Sequence, residues 1–536
     1  MLCMSSDVVV DFLKHRTMGQ GQQDLHNTCI SSNPPNLKGA ISMNILLIYP
    51  EFPDTFWSFK HALKFVQKKS AFPPLGLLTV AAMIPQEWNK RLVDMNIGKL
   101  KQKDLEWADY AFISGMIVQK ESAIEAVADC KKAGLKIVAG GPLFMSEHKD
   151  FPGIDHFVLN EAEITLPLFL DDLSRGCAKG IYTSTEFPDI TKTPLPLWNL
   201  VNMKKYVTMS VQFSRGCPFN CDFCNVTSLF GHRCRTKNTS QILAELDLIY
   251  NRGWRAGIFF VDDNFIGNKN QLKTDLLPAL INWQKGRKGI SFLTEVSINL
   301  ADDDELMKMM VDAGFDMVFI GIETPDDSGL AECSKKQNRN RDMLADIKKM
   351  QRFGFQVQGG FIVGFDSDTS TIFQRQIDFI QKSGITTAMV GMLQAIPGTR
   401  LHERMKNEGR LIGNTTGDNV DGTTNIVPSK MNAKTLQDGY KRILNEIYSH
   451  KGYYNRVKTF LKEYNQAPNS KSILKVSHFL AFLRSIYLLG IISGGRYYYW
   501  NLLLWTQFKK PKLFPLAITL AIYGYHFRKV SKQNIA

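Results

Sequence analysis

Cys217, Cys221 and Cys224 stand in Gly-Cys-Pro-Phe-Asn-Cys-Asp-Phe-Cys, a C-x3-C-x2-C spacing that leaves an iron–sulfur cluster one ligand short. Thiolates are the preferred ligands of such clusters, and a cuboidal four-iron cluster normally takes four. Three close sulfurs hold three irons and leave the fourth open for chemistry. A zinc knuckle wants four closed N/S ligands in paired spacing, and the nearest further candidates, His232 and Cys234, form no C-x-x-C or H-x-x-x-H pair. Ligand number and spacing therefore favour a [4Fe-4S] cluster over zinc or a disulfide. Cys234 and Cys333 read as small buried apolar residues.

The elements around this motif have to place it at the working end of a fold. Six candidate strands, 209–213, 257–262, 291–296, 317–322, 358–363 and 387–393, alternate with apolar helical patterns at 240–251, 303–313, 340–353 and 370–383. Such units predict a partial (β/α)6 barrel of the TIM type over 209–420, whose site gathers at the carboxyl ends of its strands. The cysteine loop follows the first strand directly, at that end.

Upstream, 44–50, 91–94, 110–115 and 136–142 are short apolar runs with helical patterns at 76–84 and 120–133 between them. Continuous apolar runs of that length fit parallel strands buried on both faces, so 43–170 is predicted as a doubly wound α/β domain. Residues 171–208, with Pro188, Pro194 and Pro196, read as a linker. Residues 421–536 read as helical, with patterns at 433–462, 477–490 and 513–525 and an aromatic run at 497–500. Residues 1–42 read as a disordered extension in which Cys3 and Cys29 carry no chemistry, Met43 being the more natural start.

At 536 residues the chain exceeds a single hydrophobic core, and 44% hydrophobic with 22% charged residues is a globular composition. Nine cysteines in so long a chain do not make the dense framework of a small secreted domain, which points to a reducing cytoplasm. A net charge of +14 asks for an anionic partner. No recognisable RNA- or DNA-binding module accompanies it, so nucleic acid is disfavoured. The lysines at 509, 510, 512, 529 and 532 flank apolar stretches shorter than the roughly 20 residues of a spanning helix. Packing helices and an interfacial membrane helix remain the two readings.

The cysteine motif, its place after the first barrel strand and the upstream α/β domain together resemble the cobalamin-binding radical S-adenosylmethionine enzymes, over about 44–400. Tyr-Pro-Glu-Phe-Pro-Asp-Thr-Phe-Trp-Ser (49–58), Pro-Pro-Leu-Gly-Leu-Leu-Thr-Val-Ala-Ala (73–82), Leu-Val-Asp-Met-Asn (92–96) and the aromatic tail are similar to the branch that includes the hopanoid methylases. The resemblance implies that S-adenosylmethionine chelates the open iron and is cleaved by an electron to a 5′-deoxyadenosyl radical. A low-potential donor such as ferredoxin or flavodoxin would supply that electron. It further implies S-adenosylmethionine contacts from Phe223, Asp262, Asp263, Asn264, Glu295, Ser297, Glu323, Gly360 and Gly364. On the cobalamin side it implies Asp94, Asn96, Gly98, Ser114, Gly140, Gly141 and Glu161. Where part of the family has D-x-H-x-x-G, this chain has Asp94-Met95-Asn96-Ile97-Gly98, so cobalamin is expected without a histidine lower ligand.

The function implied is a cytoplasmic radical methyltransferase acting at an unactivated carbon, on a small molecule or a polycyclic lipid, with peripheral membrane association if the tail lies on a bilayer. Two other readings stay open. One is a cobalamin-dependent radical cyclase or oxidoreductase without methyl transfer. The other is a non-catalytic iron–sulfur cofactor-sensing protein.

Overall fold

The computed structural model describes residues 42–418, 420–466 and 476–535. The expectations for an N-terminal extension and for Cys3 and Cys29 fall on 1–41, outside the described residues.

The first sheet holds β1 (Asn44–Tyr49), β2 (Asn89–Asp94), β3 (Tyr110–Ser114), β4 (Lys136–Gly140), β5 (His156–Val158) and β6 (Ile181–Tyr182), all parallel in the order β2-β1-β3-β4-β5-β6. Its central strand explains the apolar run at 45–48. Leu46 and Ile48 pack into one core with Ile113 and Ala139, while Ile45 and Leu47 pack into another with Phe112 and Val138. Each such side chain is worth roughly 1.5–3 kcal/mol on full burial. The stretch 171–208 supplies β6 and three short helical turns, and buries Trp198 and Tyr206.

The second sheet contains β7 (Met209–Val211), then, beyond the short ribbon of β8 (Ser214–Arg215) and β9 (Arg235–Thr236), β10 (Gly257–Phe260), β11 (Ser291–Glu295), β12 (Phe315–Glu323), β13 (Gln356–Val363) and β14 (Ala388–Met392). These six strands, β8 and β9 aside, run parallel in the order β14-β13-β12-β11-β10-β7, with helices such as Thr239–Asn251, Asp304–Asp312, Met343–Phe353 and Ile372–Ser383 between them. That order leaves β7 and β14 as edges.

Residues 56–71 bridge the two edges. On the β7 side the Val207 and Thr208 amides donate to Ser70 O (3.2 Å) and Ala71 O (3.1 Å). On the β14 side Trp57 Nε1–H points at Met389 Sδ, 2.9 Å away, and its ring meets Phe319 edge-on. The helix Phe514–Ile535 backs this segment. Phe527 stacks on Phe56 at 4.4 Å, and a His526 ring nitrogen lies 2.9 Å from Phe56 O. Burial pushes the His526 imidazole down to about 4, so it is neutral near pH 7.

Two further helices, Ala433–Ile447 and His450–Glu463, cover the β14 side, where the Tyr448 hydroxyl donates to Ala388 O at 2.6 Å. The chain then forms Val476–Ser485, a wider turn over Ile486–Ile492, and Arg496–Lys509. No helix among the described residues is long and apolar enough to cross a membrane.

Candidate functional site

The cysteine loop is tied at its base by β8 and β9, which pair Ser214 with Thr236 and Arg215 with Arg235. Gly216, at φ 96°, opens the loop where only glycine fits: a Cβ would lie 2.6 Å from Arg233 O. Gly216→Ala is therefore expected to cost about 2–3 kcal/mol and to lower bound iron, read by melting and iron analysis. Gly253→Ala, at φ 86° with nothing within 4 Å, is the control that bears only the left-handed strain.

Farther along the loop, the Asp222 amide donates to Cys333 O (3.1 Å), the Leu401 amide to Asp222 O (3.0 Å), and the Asp222 carboxylate pairs with Arg400. Phe223 packs beside Phe365, Leu393 and Leu401.

Cys217, Cys221 and Cys224 are unbridged, half-buried neighbours: Cys221 raises the pKa of Cys217, and both raise that of Cys224. Desolvation is the larger cause for all three, and pushes Cys224 up to about 12. Thiols in such a place become thiolates when a metal supplies the compensating charge. Among the described residues no three His, Cys, Asp or Glu side chains converge on a single ion. Three unbridged thiols on one loop can each ligate a different iron, so the donor set fits a cluster held by three cysteines.

Next to the thiols lies an acidic group with one cation. Glu295 is pushed to about 8 by burial and by Asp263 and Asp262. Asp263 is pushed to about 6 by burial, partly offset by the Gly216 amide. Glu323, at φ 63° at the end of β12, accepts from Lys335 Nζ at 2.6 Å. Burial alone would lower the Lys335 ammonium, but Glu323 and the thiols of Cys221 and Cys224 more than reverse this and hold it above its ordinary value.

The remaining barrel residues are placed differently. Asp262 is buried with its carboxylate spent on the backbone before the motif, taking the Ser214 amide and hydroxyl (2.6 Å to the latter) and the Phe213 amide at 3.2 Å. It clamps the loop. Asn264 Oδ1 accepts from the Ser297 amide at 3.2 Å, so these two residues orient each other. Gly360 gives clearance to Phe319, and the Gly364 amide donates to Asp368 at 2.9 Å.

In the first sheet, Asp94 accepts from Tyr206 Oη (2.6 Å) and from the Asn96 amide and side chain (2.9 and 2.7 Å). Asn96 in turn accepts from the Phe52 amide at 2.9 Å and donates to Pro50 O at 3.1 Å. Asp94 and Asn96 thus lock the 50–52 and 94–98 loops together, with Gly98 donating to Asp94 O at 3.1 Å. Gly140 and Gly141 leave no room for a Cβ, against Val158 O and Ser114 Oγ respectively.

Glu161, expected at the cofactor, is engaged with two arginines. Its oxygens take Arg215 at 2.6 Å and Arg235 at 2.7 Å, while Glu163 takes Arg215 at 2.8 Å. This buried ion network joins the loop after β5 to the two arginines flanking the cysteine loop. On the other side, Gly417, beyond β14, lies against Ile117 and Val118, beyond β3. Residues just beyond the carboxyl ends of β3 and β5 in the first sheet thus touch residues beyond the carboxyl ends of β14 and β7 in the second. Sequence reasoning missed Lys335, Arg215 and Arg235. Lys335 and Arg235 stand in polar runs that read as solvated surface until their distant partners are known.

A family model described as the radical SAM superfamily matches residues 211–380, and one described as a domain of unknown function, DUF4070, matches 399–536. The chain is 40% identical to an uncharacterized methyltransferase of Synechocystis sp., over 92% of this chain and 93% of that one. It is 34% identical to the hopanoid C-2 methylase of Rhodopseudomonas palustris, over 72% and 74% respectively. Among solved structures, the cobalamin-dependent S-adenosylmethionine radical enzyme OxsB aligns over 92% of this chain and 80% of its own, with TM-score 0.60 at 14% identity. The radical S-adenosylmethionine methyltransferase TsrM from Kitasatospora setae aligns over 86% and 99%, with TM-score 0.55 at 13% identity. These two likenesses are of fold.

Proposed function

The chain belongs to the radical S-adenosylmethionine family of its methyltransferase relatives, and from that premise we propose that it is a cobalamin-dependent C-methyltransferase acting at an unactivated carbon of an apolar, polycyclic lipid. The observation that carries this reading is the buried ion network by which Arg215, at the base of the cysteine loop, is pinned to Glu161 and Glu163 beyond β5 of the first sheet.

Bound there, the cluster supplies an electron from a low-potential donor, S-adenosylmethionine supplies the methyl group and the hydrogen-abstracting radical, and cobalamin carries the methyl. The protein's part is to hold and to exclude. Cys217, Cys221 and Cys224 would hold the cluster. Lys335 offers a cation to a carboxylate, while Asp263 and Glu295 offer acceptors to an ammonium, the two charged ends of a methionine moiety. Asp262, Asn264 and Ser297 fix the strand ends that present these groups. Asp94, Asn96 and Gly98 with Ser114, Gly140 and Gly141 form the rim that would receive cobalamin. Asn96 is committed to Phe52, Pro50 and the Asp94 carboxylate, in keeping with a cofactor that takes no lower ligand from this position.

Trp57, Phe319 and Met389, in contact across the barrel's bridged gap, give an apolar wall suited to a hydrocarbon skeleton. A substrate of that kind is drawn from a membrane surface, so peripheral membrane association is part of this reading. With S-adenosylmethionine carrying a deuterated methyl group, the product is expected to gain that label by mass spectrometry. Turnover with no label in the product overturns methyl transfer in favour of a cyclase or oxidoreductase.

A further inference from the structure

The 73 residues after Glu463 contain ten Lys and Arg and neither Asp nor Glu, so they carry ten of the chain's fourteen net positive charges. Among the described residues, eleven of the twenty exposed large apolar side chains fall within 476–508. Neither fact is expected of helices that merely cover a barrel, whose outer faces carry mixed charge.

Part of that charge adjoins the apolar surface. On Val476–Ser485 and the turn after it, Phe479, Leu483 and Tyr487 point outward at helical spacing, and on Arg496–Lys509 so do Tyr497, Leu504 and Phe508, the last 80% exposed. The opposite faces, with Ala481, Ser485 and Leu489 on one side and Tyr499, Leu502 and Leu503 on the other, are buried. Trp500 joins the two outward faces: its indole N–H donates to Gly490 O at 2.9 Å, and Ser485 and Tyr499 share a hydrogen bond of 2.8 Å beneath it. Arg496, Lys509 and Lys512 are exposed at the ends of this surface.

We infer that the helical hairpin 476–508 is the surface by which the protein lies on an anionic phospholipid bilayer, without spanning it. Aromatic and aliphatic side chains enter the acyl boundary, and the basic ends meet lipid phosphates. Charge complementarity selects this occupant, because a second copy of the same surface would set like charges against each other. The hairpin is also joined to the segment that closes the barrel, since Arg484 donates to Phe65 O at 2.6 Å. A lipid leaving the bilayer thus meets the stretch that carries Trp57. The inference rests on the lipid-methylase reading for its purpose, but its test does not.

Co-sedimentation of the full chain with phosphatidylcholine vesicles, with and without about 30% phosphatidylglycerol, reads it directly. Binding is expected to the anionic vesicles, to be weak to the neutral ones, and to fall as salt is raised. Leu483→Glu/Leu504→Glu is expected to weaken binding at least about tenfold at unchanged circular dichroism. Should that variant misfold, Lys509→Glu/Lys512→Glu, at exposed positions, is expected to show the same loss.

Absence of binding by the wild type, or equal binding by a folded variant, overturns the inference. So does a wild-type dimer that these substitutions dissociate. Label transfer to detergent-dispersed substrate without vesicle binding would sink this surface and leave methyl transfer standing; the reverse result would do the opposite.

Discussion

Cys221→Ala is expected to reduce methyl transfer more than about 10³-fold, to below detection, while the apoprotein melts close to the wild type. The asymmetry follows from where the thiol sits. It is half-buried on a loop whose shape is set elsewhere, by the β8–β9 ribbon, the Asp262 clamp and the Asp222 contacts, so truncation removes little packing. What it removes is one of three ligands, in a site where burial holds the thiols protonated unless a metal is bound. Iron content read beside activity checks this, and an active iron-replete variant would end the assignment of the motif. Cys234→Ala is the informative companion. That thiol is 3.4 Å from Gly216 O at the base of the same loop, with its pKa pushed up to about 11 chiefly by burial. Turnover is expected to persist without it. Loss of iron and turnover together would mean that Cys234 helps to hold the cluster and that the three-cysteine assignment is incomplete.

Those parts of the molecule that carry a local pattern were legible in the sequence. Buried parallel strands such as 45–48 announce themselves as unbroken apolar runs, and the cysteine spacing is read without any fold. The acidic strand ends were only half legible, because a carboxylate that clamps a backbone, as Asp262 does, has the same sequence signature as one buried among other charged groups, as Glu295 is. Contacts across long separations were not legible at all. The Trp57 indole meets Met389 332 residues away, and His526 meets Phe56 O across 470. Nothing within a helical turn or a strand's alternation encodes such pairings, so the bridging of the barrel gap by 56–71 emerges only in three dimensions. The hairpin at 476–508 is an intermediate case: its apolar periodicity was readable, but which stripe faces outward depends on what the other stripe packs against.

Arg215→Leu is expected to cost about 3–5 kcal/mol, since it strands carboxylates in the interior. Arg215 takes Glu161 and Glu163 with its two terminal nitrogens and Gln212 with Nε at 2.8 Å, and the three charged side chains of this group are each little more than a tenth exposed or less. Burial by itself would raise the Glu163 carboxyl; the charge and hydrogen bonds of Arg215 more than reverse that and hold it below the ordinary value. A carboxylate depressed in the folded state adds stability above its unfolded pKa and loses it as pH falls through the folded one. In the variant the sign inverts, because an unpaired buried Glu163 penalises folding wherever it is ionised and the penalty lifts on protonation. The deficit against wild type should therefore be largest near neutral pH and shrink towards about pH 5, read as the shift of the urea midpoint at each pH. Arg215→Leu/Glu163→Leu should recover part of the loss, because it removes the stranded charge with the cation. A deficit that does not vary with pH, or a double variant no better than the single, would mean that Arg215 acts by packing alone. The pairing of the first sheet with the cysteine loop would then rest on something other than these charges.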